Sequence, residues 1–300
     1  MKLIEPFEVT PARLLSSTVP ITETEWTAGT YNTGDQRYIG ADLYEVVATP
    51  STNDEPVAGS KKDPPTWFRV GTINRFSAFD GIVARASEVA SGSMEWRIQA
   101  EGVVTGFALF GLVGETVTVR LLRQSDETPL YERTWSLAGR GHPTTWWEWF
   151  FAPFDTTTQV VVTDAPTATA PIIELEVDGG SGPARLGEAF FGLVQRLGVT
   201  LMDGTGTEVE DFTSRVRDPF GNFAIRARPS TRIVTYSVSL ENSRLGFAER
   251  TLRGRLAVPT VYVGDEGYPT FTVVGFPRNI QTVVLGPTVA ELLFEVEGLI

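Results

Sequence analysis

Residues 233–240 read IVTYSVSL, and this stretch decides the class of fold. Apolar side chains occupy every second position, from Val234 through Tyr236 and Val238 to Leu240. Successive side chains of a strand point to opposite faces, so this spacing predicts a strand with one buried face and one wet face. Strands of this kind are typical of antiparallel sheets that pack on one side.

Similar short runs rich in Val, Ile, Leu and Thr predict strands elsewhere in the chain. They lie at residues 117–122, 158–163 and 172–177. The 29 Gly and 19 Pro residues are spread throughout and separate these runs, as expected for many short strands. Residues 243–256 form the one stretch that resembles an amphipathic helix. The sequence therefore predicts a mostly β protein.

The composition excludes several kinds of chemistry. The chain has no Cys, which rules out disulfides, zinc sites built on thiolates and cysteine nucleophiles. Its one His, His142, lies in a loop that contains Gly and Pro. This residue is either a solvated side chain or a catalytic base, and a catalytic base would need partners that the sequence does not show. We therefore expect no enzyme activity, no metal site and no cofactor.

Charge and hydropathy also limit the partners and cellular locations that we expect for the chain. The 25 basic and 37 acidic residues give a formal net charge of −12, which argues against non-specific nucleic-acid binding and against binding to anionic membranes. The N-terminus lacks the apolar run of a signal peptide, and the longest apolar stretch, residues 106–114, is too short to span a bilayer. We therefore expect synthesis and assembly in the cytoplasm, without membrane insertion.

Composition divides the chain into three predicted segments. Residues 1–68 are rich in turn-forming residues and hold all three lysines, and residues 69–200 carry the strongest strand pattern. Residues 201–300 have no lysine but a cluster of arginines. Between Arg215 and Arg255 there are nine Arg against three acidic residues.

The arginine cluster has two interpretations. A solvated, charged surface is one, and a subunit interface with carboxylate partners is the other. The candidates come in pairs two residues apart, a spacing that would put both members on one face of a strand. These interface candidates are Arg215, Arg217, Arg226, Arg228, Arg253 and Arg255.

Aromatic residues crowd the first segment. Flat aromatic faces hold sugars, because the C–H side of a sugar ring is apolar. The alternative is that these rings fill the core of a small domain that is short of aliphatic residues. The candidates for sugar contact in this segment are Trp26, Tyr31, Tyr44 and Trp67.

The spacing of these aromatics resembles the small chitin-binding modules of bacterial chitinases. The matching pattern over residues 20–68 is Trp26-x-x-Gly29-x-Tyr31-x-x-Gly34-Asp35, then Tyr44-Glu45, then Pro64-Pro65-x-Trp67. The chain departs from the family in having Tyr38-Ile39 at a usual valine, a long insertion before Trp67, and no tryptophan pair after Tyr44. The resemblance implies a carbohydrate-binding module.

Two further groups of residues are candidates for contacts. Residues 146–151 read WWEWFF, and a strand there would bury the Trp147 face and leave Trp146 to contact a ligand or a subunit. Asn74, Arg75 and Asp80 either contact a sugar or a subunit, or form a turn in which Asn74 and Asp80 bond nearby backbone amides and Arg75 pairs with Asp80.

A second resemblance extends over most of the chain. The order of its motifs is similar to that of the tail-tip or baseplate proteins of long-tailed bacteriophages and related prophages. The co-linear motifs are Trp67-Phe68-x-Val70-Gly71, Asn74-Arg75-Phe76, Leu186-Gly187-Glu188-x-x-Phe191-Gly192, Asp211-Phe212-x-Ser214, Asp218-x-Phe220-Gly221-Asn222, Pro259-Thr260-Val261-Tyr262-Val263-Gly264 and Val274-Gly275-Phe276.

This resemblance implies an architecture of three β modules. They are a small aromatic-rich β module at 1–68, a galactose-binding-like jelly-roll sandwich at 69–200, and a ring-forming β domain like that of distal tail proteins at 201–300. It also implies a structural virion protein at the tail tip, with a ring of its own copies, other tail proteins (tail tube, tape measure and tail hub) and a host cell-surface glycan as partners.

Two other functions stay open from the sequence. The aromatic module also suits a carbohydrate-binding accessory or adhesion protein of a glycan-degrading system. A glycosidase or peptidoglycan hydrolase would need two carboxylates about 5–10 Å apart, and no spacing in the sequence locates such a pair.

Overall fold

The structure, a computed structural model, describes residues 1–82, 85–139, 145–151, 155–217 and 223–299. They form two compact units. The terminal unit consists of Met1–Pro6 and Phe191–Ile300, and the central unit of Phe7–Phe190. Strands far outnumber helices in both units, which confirms the predicted mostly β fold.

The strands are numbered in chain order. The first thirteen are β1 (Lys2–Pro6), β2 (Leu14–Ser17), β3 (Tyr31–Asn32), β4 (Gln36–Ile39), β5 (Asp42–Val46), β6 (Ser51–Thr52), β7 (Trp67–Thr72), β8 (Ser87–Val89), β9 (Ser93–Gln99), β10 (Val103–Val104), β11 (Gly106–Phe110), β12 (Thr116–Leu122) and β13 (Pro129–Ser136). The others are β14 (Ala138–Gly139), β15 (Asp155–Thr156), β16 (Gln159–Val162), β17 (Ala168–Thr169), β18 (Ile172–Asp178), β19 (Ala184–Leu186), β20 (Glu188–Arg196), β21 (Val199–Asp211), β22 (Ser214–Arg217), β23 (Phe223–Arg226), β24 (Ser230–Glu241), β25 (Thr260–Val263), β26 (Thr272–Val284) and β27 (Val289–Gly298).

Helices are few among the described residues. The α-helices are α1 (Pro56–Gly59), α2 (Trp146–Phe151) and α3 (Asn242–Arg253), and short 3₁₀ helices span Ser77–Phe79 and Pro269–Phe271. α3 lies within the predicted helical stretch 243–256 apart from its first residue, and the predicted strands at 117–122, 158–163, 172–177 and 233–240 coincide with β12, β16, β18 and β24.

The terminal unit is built on one antiparallel sheet. Its strands lie in the order β20-β1-β25-β26-β27-β24-β21. In β24 the side chains of Val234, Tyr236 and Val238 are fully buried, as the alternation predicts. Ala248 and Leu252 of α3 belong to the same apolar cluster, so the helix packs on this face of the sheet.

The central unit contains a five-stranded antiparallel sheet with the order β13-β12-β18-β9-β2. Alternate residues of its three inner strands are fully buried, for example Val119, Leu175 and Trp96. The residues between them form charged rows on the other face, where Arg120 Nε lies 2.7 Å from Glu132 Oε1. This alternation is that of a sheet with one face in a sandwich-like core.

The two compact units do not follow the three predicted segments. β2 lies in the first predicted segment but pairs with β9 of the second, with Leu14 opposite Ile98. β1 lies in the same segment but pairs with β20 and β25 of the terminal unit. Composition divides a chain by position, whereas strand pairing joins residues that are far apart along it.

Candidate functional site

Three of the predicted sugar-contact residues lie in the core of the N-terminal module. Tyr31, Tyr44 and Trp67 are buried and form one apolar cluster with Val46. The rings of Tyr31 and Trp67 meet edge to face, with centroids 5.5 Å apart, a favourable geometry for two aromatic rings. The core-filling interpretation therefore describes these residues.

Hydrogen bonds hold two of these rings in place. Trp67 Nε1–H donates to the Asp54 carbonyl at 3.0 Å, and the Tyr31 hydroxyl donates to the Thr27 carbonyl at 2.6 Å. A sugar needs an exposed ring face, and these faces are covered by protein. This corrects the sugar-contact prediction for Tyr31, Tyr44 and Trp67: in this conformation they stabilise the fold.

Trp26 and Trp146 have different environments. Trp26 is half-buried and packs against the Tyr31–Trp67 cluster. Trp146 is 80% exposed, so of the five predicted sugar-contact residues it presents the most open ring.

The prediction of a strand at 146–151 is wrong, because these residues form α2. Trp147 is exposed on this helix as Trp146 is, so the expected burial of the Trp147 side chain does not occur. Aromatic residues favour strands only weakly, and their neighbours in the fold decide the local structure. The nearby loop residue His142 lies outside the described residues.

Asn74, Arg75 and Asp80 bond the protein's own backbone, but only Asp80 makes the local turn contact that the structural alternative predicted, and the described contacts do not include an Arg75–Asp80 pair. Asn74 is buried and its amide donates to the Pro20 and Glu88 carbonyls at 3.0 and 2.9 Å. Asp80 Oδ1 accepts the backbone N–H of Ile82, two residues on, at 2.8 Å. All three side chains thus bond the backbone, since Arg75 Nε–H donates to the Val19 carbonyl.

A polar cavity of about 270 Å³ lies beside this turn in the central unit. Its lining includes Asn74, Ser77, Glu23 and Arg85. Arg85 lies 3.7 Å from Glu23, and Glu23 also accepts the backbone N–H of Asn74 at 2.9 Å. Glu23 thus has a backbone donor and a nearby guanidinium, whereas Arg85 Nε has no hydrogen-bond partner among the described residues. The cavity by itself does not indicate a ligand.

The first arginine pair lies on a two-stranded hairpin of the terminal unit. β22 and β23 pair antiparallel, with Arg215 opposite Ile225 and Arg217 opposite Phe223. Opposed residues share a face, so both arginines lie on one face with two apolar side chains. The guanidinium of Arg217 lies 4.6 Å from the centroid of the Phe223 ring, and Arg215 Nη2 lies 2.5 Å from Asp211 Oδ2. The predicted arrangement of this pair is confirmed.

The other two arginine pairs differ from the prediction. Arg226 lies opposite Ser214, on the other face of the hairpin, and Arg228 follows the end of β23. Arg253 is the last residue of α3, where it pairs with Glu249, and Arg255 pairs with Glu5. Neither pair lies wholly on a strand, because only Arg226 of these four residues belongs to one, so the two-residue spacing does not give them a common face. Arg255 is mostly buried against Glu5, which corrects its assignment as an interface residue.

The hairpin formed by β22 and β23 (below, the arginine hairpin) is exposed on both faces. Phe223 and Ile225 are 57% and 67% exposed on one face, and Val216 is equally open on the other. A hairpin without a third strand or a packed face is at best marginally stable in water. Exposed apolar side chains together with arginines are typical of protein interfaces.

An acidic strand precedes the arginine hairpin. β21 is the last strand of its sheet, and no further described strand pairs with its outer edge. Glu208, Glu210 and Asp211 lie on its exposed C-terminal half. Within the described residues, Glu208 and Glu210 form no ion pair. We call residues 206–211 the acidic edge. The sequence analysis did not single it out, because three acidic residues directly before a run of arginines are also typical of an ordinary charged surface.

Metal ligation and membrane crossing find no support in the described residues. No three His, Asp or Glu side chains among them cluster as metal ligands, and none of the described helices is long and apolar enough to cross a membrane. Comparisons with protein-family models, curated proteins and solved structures find no match to this chain.

Proposed function

We propose that the chain is a structural virion protein of the tail tip or baseplate of a long-tailed bacteriophage, where identical copies assemble into a symmetric ring. The observation that carries this proposal is the arginine hairpin, whose two faces expose Val216, Phe223 and Ile225 to solvent. Burying these side chains against a second copy would stabilise a hairpin that its own unit leaves uncovered.

Charge supports a second copy as the partner. The arginine hairpin carries Arg215, Arg217 and Arg226, and the acidic edge carries Glu208, Glu210 and Asp211. Complementary charges on different patches of one chain favour head-to-tail contact, and such contacts close into rings when the rotation between copies allows it. Tail tube, tape measure and tail hub proteins are the partners that the motif order implies.

Immunogold electron microscopy tests the location in the virion. Antibodies against the chain, applied to phage-like particles from a culture that makes it, are expected to label the distal end of the tail. Particles from a strain with the gene deleted are the control and should carry no label. Unlabelled wild-type particles, with the antigen free in the medium, would contradict the proposal and favour the carbohydrate-binding accessory protein.

A glycan contact is a second candidate function, and one observation favours it. Trp146 exposes most of its ring, as a residue that stacks on a sugar must. We expect Trp146→Ala to reduce retention on chitin or on a column of host envelope glycan by about tenfold, a typical loss for one stacking aromatic.

The control for this experiment is Phe68→Ala, which removes another exposed aromatic side chain of the central unit. Retention of the Phe68 variant should equal that of the wild type. If the Trp146 variant is also retained as the wild type is, or if the wild type is not retained at all, the glycan contact is excluded for these ligands.

A further inference from the structure

Glu188, the first residue of β20, is an acid buried without a hydrogen-bond donor. Its side chain is fully buried, and neither carboxylate oxygen accepts a hydrogen bond within the described residues. A buried carboxylate without a donor is too costly to persist, so such a group either finds a partner or takes up a proton.

The side chain that faces Glu188 is another acid, Asp80, on the turn after the 3₁₀ helix Ser77–Phe79. Asp80 has the donors that Glu188 lacks: its Oδ2 accepts the Thr72 hydroxyl at 2.9 Å, and its Oδ1 accepts the Ile82 N–H. Two facing carboxylates can only accept hydrogen bonds, whereas one proton between them supplies a donor.

The surrounding charges decide which acid holds this proton. Burial raises the pKa of Asp80 too, but the Ile82 amide and the Thr72 hydroxyl oppose this effect. Arg85, whose Nη2 donates to the Thr72 carbonyl at 3.2 Å, also favours ionised Asp80. Glu23 lies beyond Arg85. The backbone amides of Gly81 and Ile82 favour ionised Glu188, but burial and the neighbouring Asp80 outweigh them and raise its pKa. Ionised Asp80 beside neutral Glu188 is therefore the favoured arrangement.

We infer that Glu188 and Asp80 share one proton in a buried carboxyl–carboxylate hydrogen bond, and that this bond is a pH-sensitive latch holding the turn at residues 77–82 against the start of β20. β20 is the strand through which the chain passes from the central to the terminal unit. Ser77 and Arg85 also line the polar cavity, so release of the turn would change the shape of that cavity.

The direction of the pH dependence follows from burial. Burial and the neighbouring Asp80 raise the pKa of Glu188 to about 8, far above its value in an unfolded chain. Between the two values the folded protein binds one more proton than the unfolded chain, so stability falls as the pH rises. The unfolding constant rises by up to about tenfold per pH unit across this window, and above it the two carboxylates repel each other.

The experiment compares the full-length wild type with Glu188→Gln between pH 5 and pH 9. Gln has nearly the same shape, donates an N–H to Asp80 and does not titrate. Hydrogen exchange at residues 77–82 and 188–192, corrected for the intrinsic effect of pH, is expected to show opening that increases with pH in the wild type and stays constant in the variant. Glu45→Gln, at a partly exposed acid of β5, is the control and should behave as the wild type does.

A second measurement does not depend on whether the variant folds. Carboxyl ¹³C NMR of the wild type should show one Glu resonance that titrates near pH 8 instead of in the ordinary range, and this resonance should be absent from the Glu188→Gln spectrum. If every Glu resonance of the wild type titrates below pH 6, or if the wild type and Glu188→Gln open with the same pH dependence, the latch does not exist.

Discussion

Replacing Arg215 and Arg217 together by Glu is expected to weaken self-association at least about tenfold. Both side chains lie on one face of the arginine hairpin, and the change would place like charges against the acidic edge of the next copy. Like charges brought together at an interface cost up to several kcal/mol, and each 1.4 kcal/mol changes the dissociation constant tenfold. Sedimentation velocity over a range of protein concentrations measures this shift.

The matched control is the double variant Arg123→Glu, Arg133→Glu in the central unit. Like Arg215, Arg123 pairs with an acid nearby in the chain, and like Arg217, Arg133 stacks on an aromatic ring, here that of Trp135. The two double variants change the net charge equally. If both weaken self-association to the same degree, net charge is responsible and the hairpin is not the contact.

Restoring complementarity tests the contact directly. Adding Glu208→Arg and Glu210→Arg to the hairpin variant exchanges the charges of the two patches and should recover most of the wild-type association. Each patch variant alone should associate weakly, whereas a mixture of the two should recover association, because the hairpin of each variant then meets the oppositely charged edge of the other. If the wild type stays monomeric at every concentration at which it is soluble, the claim that these two surfaces by themselves form a ring is contradicted.

Replacing Trp67 by Ala is expected to lower the free energy of unfolding of the central unit by about 3–5 kcal/mol. The indole is fully buried, so its removal leaves a cavity beside Tyr31 and loses the hydrogen bond to the Asp54 carbonyl. Urea unfolding of the full-length chain, followed by circular dichroism, measures the loss.

Trp146→Ala is the matched control for this prediction. It removes the same side chain from an exposed position and should change the free energy of unfolding by less than about 0.5 kcal/mol. Equal effects of the two substitutions would contradict the assignment of Trp67 to the core. The Trp67 variant also separates the two interpretations of the aromatic module, because a surface platform would lose binding without losing stability.

The regular alternation of apolar and polar residues predicted the strands correctly, whereas composition did not predict the boundaries of the compact units. Residues 233–240 fit one strand arrangement well, in which Val234 and the alternate apolar residues that follow it are buried. A shift of the strand by one residue would expose all of these side chains. The aromatic residues were ambiguous for a physical reason. A ring such as that of Trp67 suits a core and a sugar surface equally well, and only the residues packed on both faces distinguish the two.

The arginine pairs show the same limit. A spacing of two gives a shared face only on a strand, and this condition holds for Arg215 and Arg217 but not for Arg253 and Arg255. Arg255 is neutralised by Glu5, which is 250 residues away in the chain. No local pattern can predict an ion pair between positions so distant.

The sequence by itself determined the class of fold, the positions of its main strands and the chemistry that a chain without cysteine cannot perform. Local rules decide these properties, because side-chain periodicity and residue type act within a few positions. Only the tertiary structure placed Tyr31, Tyr44 and Trp67 in the core, left the arginine hairpin uncovered beside the acidic edge, and brought Glu188 to face Asp80. Burial and long-range pairing depend on which distant strands meet, and these contacts are properties of the folded chain as a whole.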